Sequence, residues 1–301
     1  MQEPNYYVTP TLDRVSLWRR NEDWLARQMA APASRLLLVW RGQNLILEAP
    51  SPAAALLSIA EGSELLAEAQ EIALLGLVGE TAHFAADLSH REEPPALPGA
   101  RFADLRSVGP VLAREEGGLL AYARGLMHWH QRHRFCGVCG SPTESREAGH
   151  MRRCTNPACA AEHHPRIDPA VIMRVEHGNR ILLGRQKQWP HGMHSVLAGF
   201  VEPGESLEDA VRREVAEEVA LRLREVHYHS SQPWPFPASI MLGFTAIADS
   251  DAFQVDDHEL EAARWFTREE LLASPENESF RLPRRDSIAR RLVDDWIAAR
   301  R

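Results

Sequence analysis

Residues 199–221, GFVEPGESLEDAVRREVAEEVAL, do most to narrow the structures open to this 301-residue chain. A glycine-bearing loop runs into a stretch of good helix formers without proline. Ser206 with Asp209 three residues later is a capping-box start, so the spacing predicts a helix from Leu207 to about Val219. Val211, Val215 and Val219 form an apolar stripe that can anchor this helix on a sheet. Glu214, Glu217 and Glu218 stand at i, i+3 and i+4 and project from one face. Carboxylates so clustered repel one another unless a cation lies among them. Hard oxygen donors select Mg²⁺ or Mn²⁺ over softer metals. The plainer alternative is a solvated acidic face with Arg212 and Arg213 as partners.

All four cysteines fall within 24 residues: Cys136, Cys139, Cys154 and Cys159. A disulfide scaffold would spread them further apart. Cys136-Gly-Val-Cys139-Gly140 is a knuckle pattern in which glycines allow the turn that aims two sulfurs at one point. Two such pairs across a short hairpin make a closed tetrahedral site for zinc, structural because no position is left open. The second pair has four intervening residues, which an Asn156-Pro157 turn can absorb. His150 and His163 flank the cluster, but four thiolates need neither. The competing reading is a set of reduced core cysteines.

The length suits two domains plus a small module, and 44% hydrophobic residues is ordinary for a globular chain. A formal charge of −8 argues against a nonspecific nucleic-acid binder, though not against a nucleotide held through a metal. The first ten residues, MQEPNYYVTP, do not read as a signal peptide, and apolar runs such as 72–78 are too short to span a bilayer. A soluble cytoplasmic protein with no membrane partner is expected.

Residues 35–47 and 73–88 each read as a pair of strands about a turn, and 53–69 has helix composition. A long helix is expected from Pro110 to about His133, burying Leu112, Leu119, Leu120, Ala123, Leu126, Met127 and Trp129. It ends in HWHQRHRF, whose histidines read as a surface or interface feature. Beyond the cysteines, 168–175, 180–185, 226–230 and 239–248 read as strands. Thr267 with Glu270 opens a capped helix, and 287–299 closes the chain with Ile288, Leu292, Val293, Trp296 and Ile297 on one side. This mixture predicts an α+β fold.

Residues 231–237 read SQPWPFP. Alternating prolines stiffen an extended backbone, and Trp234 and Phe236 between them could offer flat faces to a base or nicotinamide ring. The alternative is an edge segment whose aromatics cover the core.

The 199–221 segment resembles the Nudix box, G-x5-E-x7-R-E-U-x-E-E-x-G-U with U a bulky apolar residue. Gly199, Glu205, Arg213, Glu214, Val215, Glu217, Glu218 and Leu221 fall on its places, and Ala220 stands where the pattern has glycine. Either Ala220 takes a left-handed conformation or the helix runs on toward Arg222. With the four cysteines and SQPWPFPAS, the chain resembles the NADH pyrophosphatase subfamily of Nudix hydrolases, closely over roughly 100–301 and poorly before that. The resemblance implies a Nudix α/β/α sandwich with a mixed sheet (167–301), preceded by a four-cysteine zinc ribbon (132–166) and an N-terminal α/β domain (1–131). It implies hydrolysis of NADH or NAD⁺ to AMP and the nicotinamide mononucleotide, removal of NAD caps from RNA 5′ ends, and a homodimer.

Residue by residue, the resemblance adds the backbone carbonyl of Ala198 and the carboxylate of Glu259 to Glu214, Glu217 and Glu218 as ligands of catalytic Mg²⁺ or Mn²⁺. Asp256, Asp257 and Glu261 are neighbours that could be confused with Glu259. Glu205 and Arg213 look like an orienting pair, and Glu218 or Glu259 like the general base. Phe200, Gln232, Pro233, Trp234, Pro235, Phe236, Pro237, Ala238, Ser239 and Ala289 look like substrate contacts. His164, which stands where the family often has tyrosine, is counted with these contacts. Two rivals remain open: a hydrolase of another nucleoside diphosphate derivative such as ADP-ribose, and a noncatalytic Nudix nucleotide sensor.

Overall fold

Alternation along the Asp168–His177 strand sets the layering of the C-terminal part. Val171, Met173 and Val175 point into one core cluster, whereas Ile172 points into another on the opposite face. The neighbouring Arg180–Arg185 strand divides likewise, Leu182 to the first cluster and Ile181 and Leu183 to the second. The first face is covered by the Leu207–Val219 helix through Ala210, Val211, Val215 and Val219. The second is covered by the Ile288–Ala298 helix through Ile288, Leu292, Val293 and Trp296. Helices on both faces of one sheet give the sandwich.

The computed structural model describes residues 3–299; residues 1–2 and 300–301, at the outer ends of the expected domains, lie outside the described residues. The described chain falls into two units. One comprises residues 3–6, 168–233 and 239–299, and the other residues 7–167 and 234–238. The last five, Trp234–Ala238, are the end of the SQPWPFP stretch and the alanine after it, and residues 3–6 group with the C-terminal unit.

The sheet of the first unit runs, in spatial order, Leu223–Trp234, Ser239–Ala248, Asp168–His177, Arg180–Arg185 and Ala262–Thr267. Asp168–His177 is parallel to Ser239–Ala248, from Asp168↔Ser239 to Glu176↔Ile247, and antiparallel to Arg180–Arg185, so the sheet is mixed. Leu197–Phe200 adds a short antiparallel strand against Ala170–Met173.

The other unit holds an eight-stranded sheet in which Arg35–Trp40 pairs in parallel with Thr81–Asp87, and a separate three-stranded ribbon sheet of Thr143–Arg146, Met151–Cys154 and Glu162–His163. The long helix spans Arg114–Arg132 and buries Leu119, Leu120, Ala123, Leu126, Met127 and Trp129. Two expectations are corrected here. Residues 53–69 are not one helix: Ala53–Ala54 and Leu57–Ser58 are short strands, and only Ser63–Glu68 is helical. Pairing with Gln43–Leu47 and Arg35–Trp40 outweighs their helix propensity. The histidine-rich helix end is not a surface feature throughout, because His130 is 1% exposed. His130 takes a hydrogen bond on Nδ1 from Arg152, 2.9 Å, and its Nε2 lies 2.8 Å from the Gly149 carbonyl; Arg152 also pairs with Glu71. Among the described residues no helix is long and apolar enough to cross a membrane.

Candidate active site

Ser206 caps the Leu207–Val219 helix as the spacing predicts, its Oγ accepting from the Asp209 amide at 3.2 Å. The helix stops at Val219, and Ala220 adopts φ 54°, ψ 28°. The left-handed alternative is therefore the one realised, with an alanine where glycine would be unstrained. The last carbonyls of the helix are satisfied from a distance. Asp256 N–H donates to the Glu218 carbonyl at 3.0 Å, and Gln254 N–H to that of Val219 at 3.1 Å. This docking delivers Glu259.

Glu214, Glu218 and Glu259 each place a carboxylate oxygen within 4.8 Å of the others. Glu217 is not in this group; its Oε2 lies 3.0 Å from Arg213 Nη1. Two of the neighbours of Glu259 have other partners. Glu261 pairs with Arg185 at 2.8 Å, and Asp256 accepts from the His258 amide at 3.0 Å. Gly199 closes the cluster from the strand side. A β-carbon there would sit 1.8 Å from the Glu214 carboxyl carbon.

Arg213 organises the rim. It makes a two-pronged contact with Glu205, 2.6 and 2.9 Å, donates to Glu214 Oε1 at 2.9 Å and reaches the Phe200 carbonyl at 2.9 Å. The guanidinium holds the Glu205 carboxyl down at about 2. Glu218 is 2% exposed, and its Oε2 has no hydrogen-bond partner. Burial first, and then the charges of Glu214, Glu259 and Glu217, push its pKa up to about 8. Burial also raises that of Glu214. An orphaned carboxylate oxygen among two more carboxylates, beside a residue that cannot carry a side chain, fits a divalent cation bound by hard oxygens.

The four cysteine sulfurs also lie within 4.8 Å of one another, with Cys136–Cys159 at 3.8 Å and Cys139–Cys154 at 3.5 Å and no disulfide formed. Zinc–sulfur bonds of about 2.3 Å imply tetrahedral edges of about 3.8 Å, so the set fits structural zinc. His163 Nε2 stands 3.3 Å from the Cys136 sulfur, while His150 is turned away, with Nε2 2.7 Å from the Leu74 carbonyl.

The expected substrate contacts separate by burial. Phe200, Pro237 and His164 are exposed; Pro233, Trp234, Ala238 and Ser239 are half-buried; Gln232, Pro235, Phe236 and Ala289 are buried. Phe236 meets Tyr7 and Trp234 edge to face at 5.8 and 5.0 Å, with Arg106 and Arg124 over its ring. The aromatics of SQPWPFP thus pack edge to face against each other. Ala198 and Gly199 lie in the Leu197–Phe200 strand. Sequence reasoning missed the bond from Arg213 to the Phe200 carbonyl and the internal use of the Gln232 amide; neither leaves a periodic signal.

Three family models match the chain: a NUDIX domain over residues 164–288, an NADH pyrophosphatase zinc ribbon domain over 131–163, and an NADH pyrophosphatase-like rudimentary NUDIX domain over 33–129. NAD-capped RNA hydrolase NUDT12 of Homo sapiens is 35% identical over 342 aligned positions, covering 97% of this chain and 73% of that protein. This chain belongs to the NADH pyrophosphatase branch of the Nudix hydrolases. NAD-capped RNA hydrolase NudC of Mycobacterium bovis is 44% identical over 214 positions, covering 68% of this chain and 67% of that one. As a Nudix pyrophosphohydrolase the chain keeps every acidic and basic place of its box, and residues 33–129 match a rudimentary Nudix domain.

Proposed function

We propose that this Nudix hydrolase cleaves the pyrophosphate bond of NADH and NAD⁺, giving AMP and the reduced or oxidised nicotinamide mononucleotide, and removes NAD caps from RNA 5′ ends. The observation that carries this reading is the Glu214–Glu218–Glu259 cluster against Gly199. The names of its relatives supply the substrate class. Glu214, Glu218 and Glu259, with the Ala198 carbonyl, would hold Mg²⁺ or Mn²⁺, and Glu217 joins them if Arg213 releases it. When bound, such ions neutralise the diphosphate and lower the pKa of the attacking water. Arg213 fixes Glu205 and Glu214 and steadies the Phe200 carbonyl. Glu218, whose Oε2 is otherwise unpartnered, is assigned the proton of the attacking water, with Glu259 as the alternative. Phe200, exposed and next to Gly199 in the chain, and the half-buried Ser239 contact the substrate in this reading. Residues 1–131, 132–166 and 167–301 act as N-terminal domain, zinc ribbon and Nudix domain, in a cytoplasmic homodimer.

Chromatography after incubation with Mg²⁺ or Mn²⁺ and a dinucleotide panel tests the proposal. AMP is expected from NADH, and nicotinamide mononucleotide with 5′-monophosphate RNA from NAD-capped RNA; both should disappear in Glu218→Gln with the fold intact. Full turnover by that variant overturns the base assignment. Binding of NADH without AMP release by the native chain overturns the enzyme.

A further inference from the structure

Gln232 lies in the Leu223–Trp234 strand and is 0% exposed. Its Nε2 donates to the carbonyls of Asp286 at 2.8 Å and Tyr6 at 3.2 Å, and its Oε1 accepts from the Ile288 amide at 2.7 Å. Both amide hydrogens are therefore used inside the protein, which leaves no donor for a dinucleotide. The contacts at 286 and 288 straddle Ser287, the N-cap of the Ile288–Ala298 helix. The first amides of a helix have no partners within it. Ser287 Oγ accepts from the Arg290 amide at 3.2 Å, and Gln232 takes the Ile288 amide. The side chain thus fixes where the C-terminal helix begins.

That starting point bears on the carboxylate cluster through packing. Ile288 and Ala289 share a core cluster with Val196, and Ala198 packs against the same cluster. The strand that carries Ala198 continues to Gly199, which touches the Glu214 carboxyl group. The sheet offers no slack beneath the helix. A β-carbon on Gly243 would meet Ile288 Cδ1 at 2.7 Å and the Ser230 carbonyl at 3.0 Å.

We propose that Gln232 is a positioning residue. It seats the first turn of the C-terminal helix and, through it, the strand that holds Ala198 and Gly199 beside Glu214. It does not touch substrate. This rests on the pyrophosphatase reading for what the site does, but the linkage itself is measurable without substrate.

The test is Gln232→Met, close in size and without either hydrogen-bonding group. Hydrogen exchange of the metal-free protein should rise about tenfold over residues 286–291 and 196–200, with residues 35–40 unchanged as a control. The dissociation constant for Mn²⁺, read from the free-ion electron paramagnetic resonance signal, should rise about tenfold. Unchanged exchange at 286–291 overturns the proposal. So does faster exchange with unaltered Mn²⁺ affinity, which would confine Gln232 to local packing. A raised KM with both readouts unchanged also overturns it and makes Gln232 a substrate contact. If Gln232→Met does not fold, Gln232→Asn, one methylene short of the Ile288 amide, carries the same readouts. A native chain that binds Mn²⁺ yet hydrolyses no dinucleotide sinks the functional reading and leaves this one to its own measurements.

Discussion

Gly199 and Glu214 are in such close contact that the strand backbone forms one wall of the carboxylate cluster: a β-carbon at 199 would lie 1.8 Å from the Glu214 carboxyl carbon and 1.9 Å from its Oε1. Gly199→Ala must therefore move either the strand or the carboxylate. Glu214 is the softer partner, so the cluster loses its geometry while the sheet pairing of Ala170↔Phe200 persists. A misplacement near 1 Å costs a catalytic site about 10²-fold. We expect kcat for NADH to fall by that order with little change in thermal midpoint. Native-like turnover in Gly199→Ala would show that Glu214 does not need its present position.

Much of this arrangement could be read from local pattern. The Ser206 cap, the valine stripe and the four-cysteine spacing are short-range signals, and each stands where the spacing placed it. Glu259 was legible only through family resemblance. Its position depends on Asp256 and Gln254 docking on carbonyls at residues 218 and 219, some 35 residues earlier in the chain. Burial of long-range polar groups was illegible as well. Nothing in SQPWPFP says that Gln232 would spend its amide on Asp286 and Ile288, or that Phe236 would turn toward Tyr7. Such pairings are chosen by tertiary packing, which leaves no period in the sequence.

Arg213 binds Glu205 by two prongs and also reaches Glu214, Glu217 and the Phe200 carbonyl. A lysine has no planar fork and cannot serve these acceptors together. Arg213→Lys should lower kcat by about 10- to 100-fold, the usual loss when a group that orients metal ligands is replaced. Glu205, relieved of the guanidinium, should titrate above its present value of about 2. Steady-state kinetics and carboxylate chemical shifts check both. If the contact were only a surface ion pair, kcat would be unchanged and stability would drop by less than about 1 kcal/mol.

Ala220 carries a left-handed backbone, φ 54°, at the end of the box helix, where an L side chain is strained. Ala220→Gly removes the strain and keeps the bond from the residue 220 amide to the Ala216 carbonyl. Stability should rise by up to about 1 kcal/mol, less what the freer unfolded chain gives back. A urea midpoint shifted upward at constant m-value is the expected reading. A lowered midpoint would mean that the alanine methyl makes a contact worth more than the strain.

His150 should contribute to the acid sensitivity of the N-terminal unit. It is 8% exposed, its Nε2 is 2.7 Å from the Leu74 carbonyl, and burial lowers its pKa to about 4 from an ordinary 6.5. Burial lowers those of His130 and His83 in the same direction. Below 6.5 the unfolded chain takes up a proton that the folded chain refuses, so stability is complete above 6.5 and falls as the pH drops toward 4, where His150 is protonated in both states. For His150 alone the integrated loss is about 3 kcal/mol. Chemical denaturation between pH 7 and pH 4, followed by tryptophan fluorescence, should show this slope. His150→Gln, which keeps an N–H for the Leu74 carbonyl and does not titrate, should flatten it. An unchanged slope in that variant would assign the acid sensitivity to other groups, His130 and His83 among them.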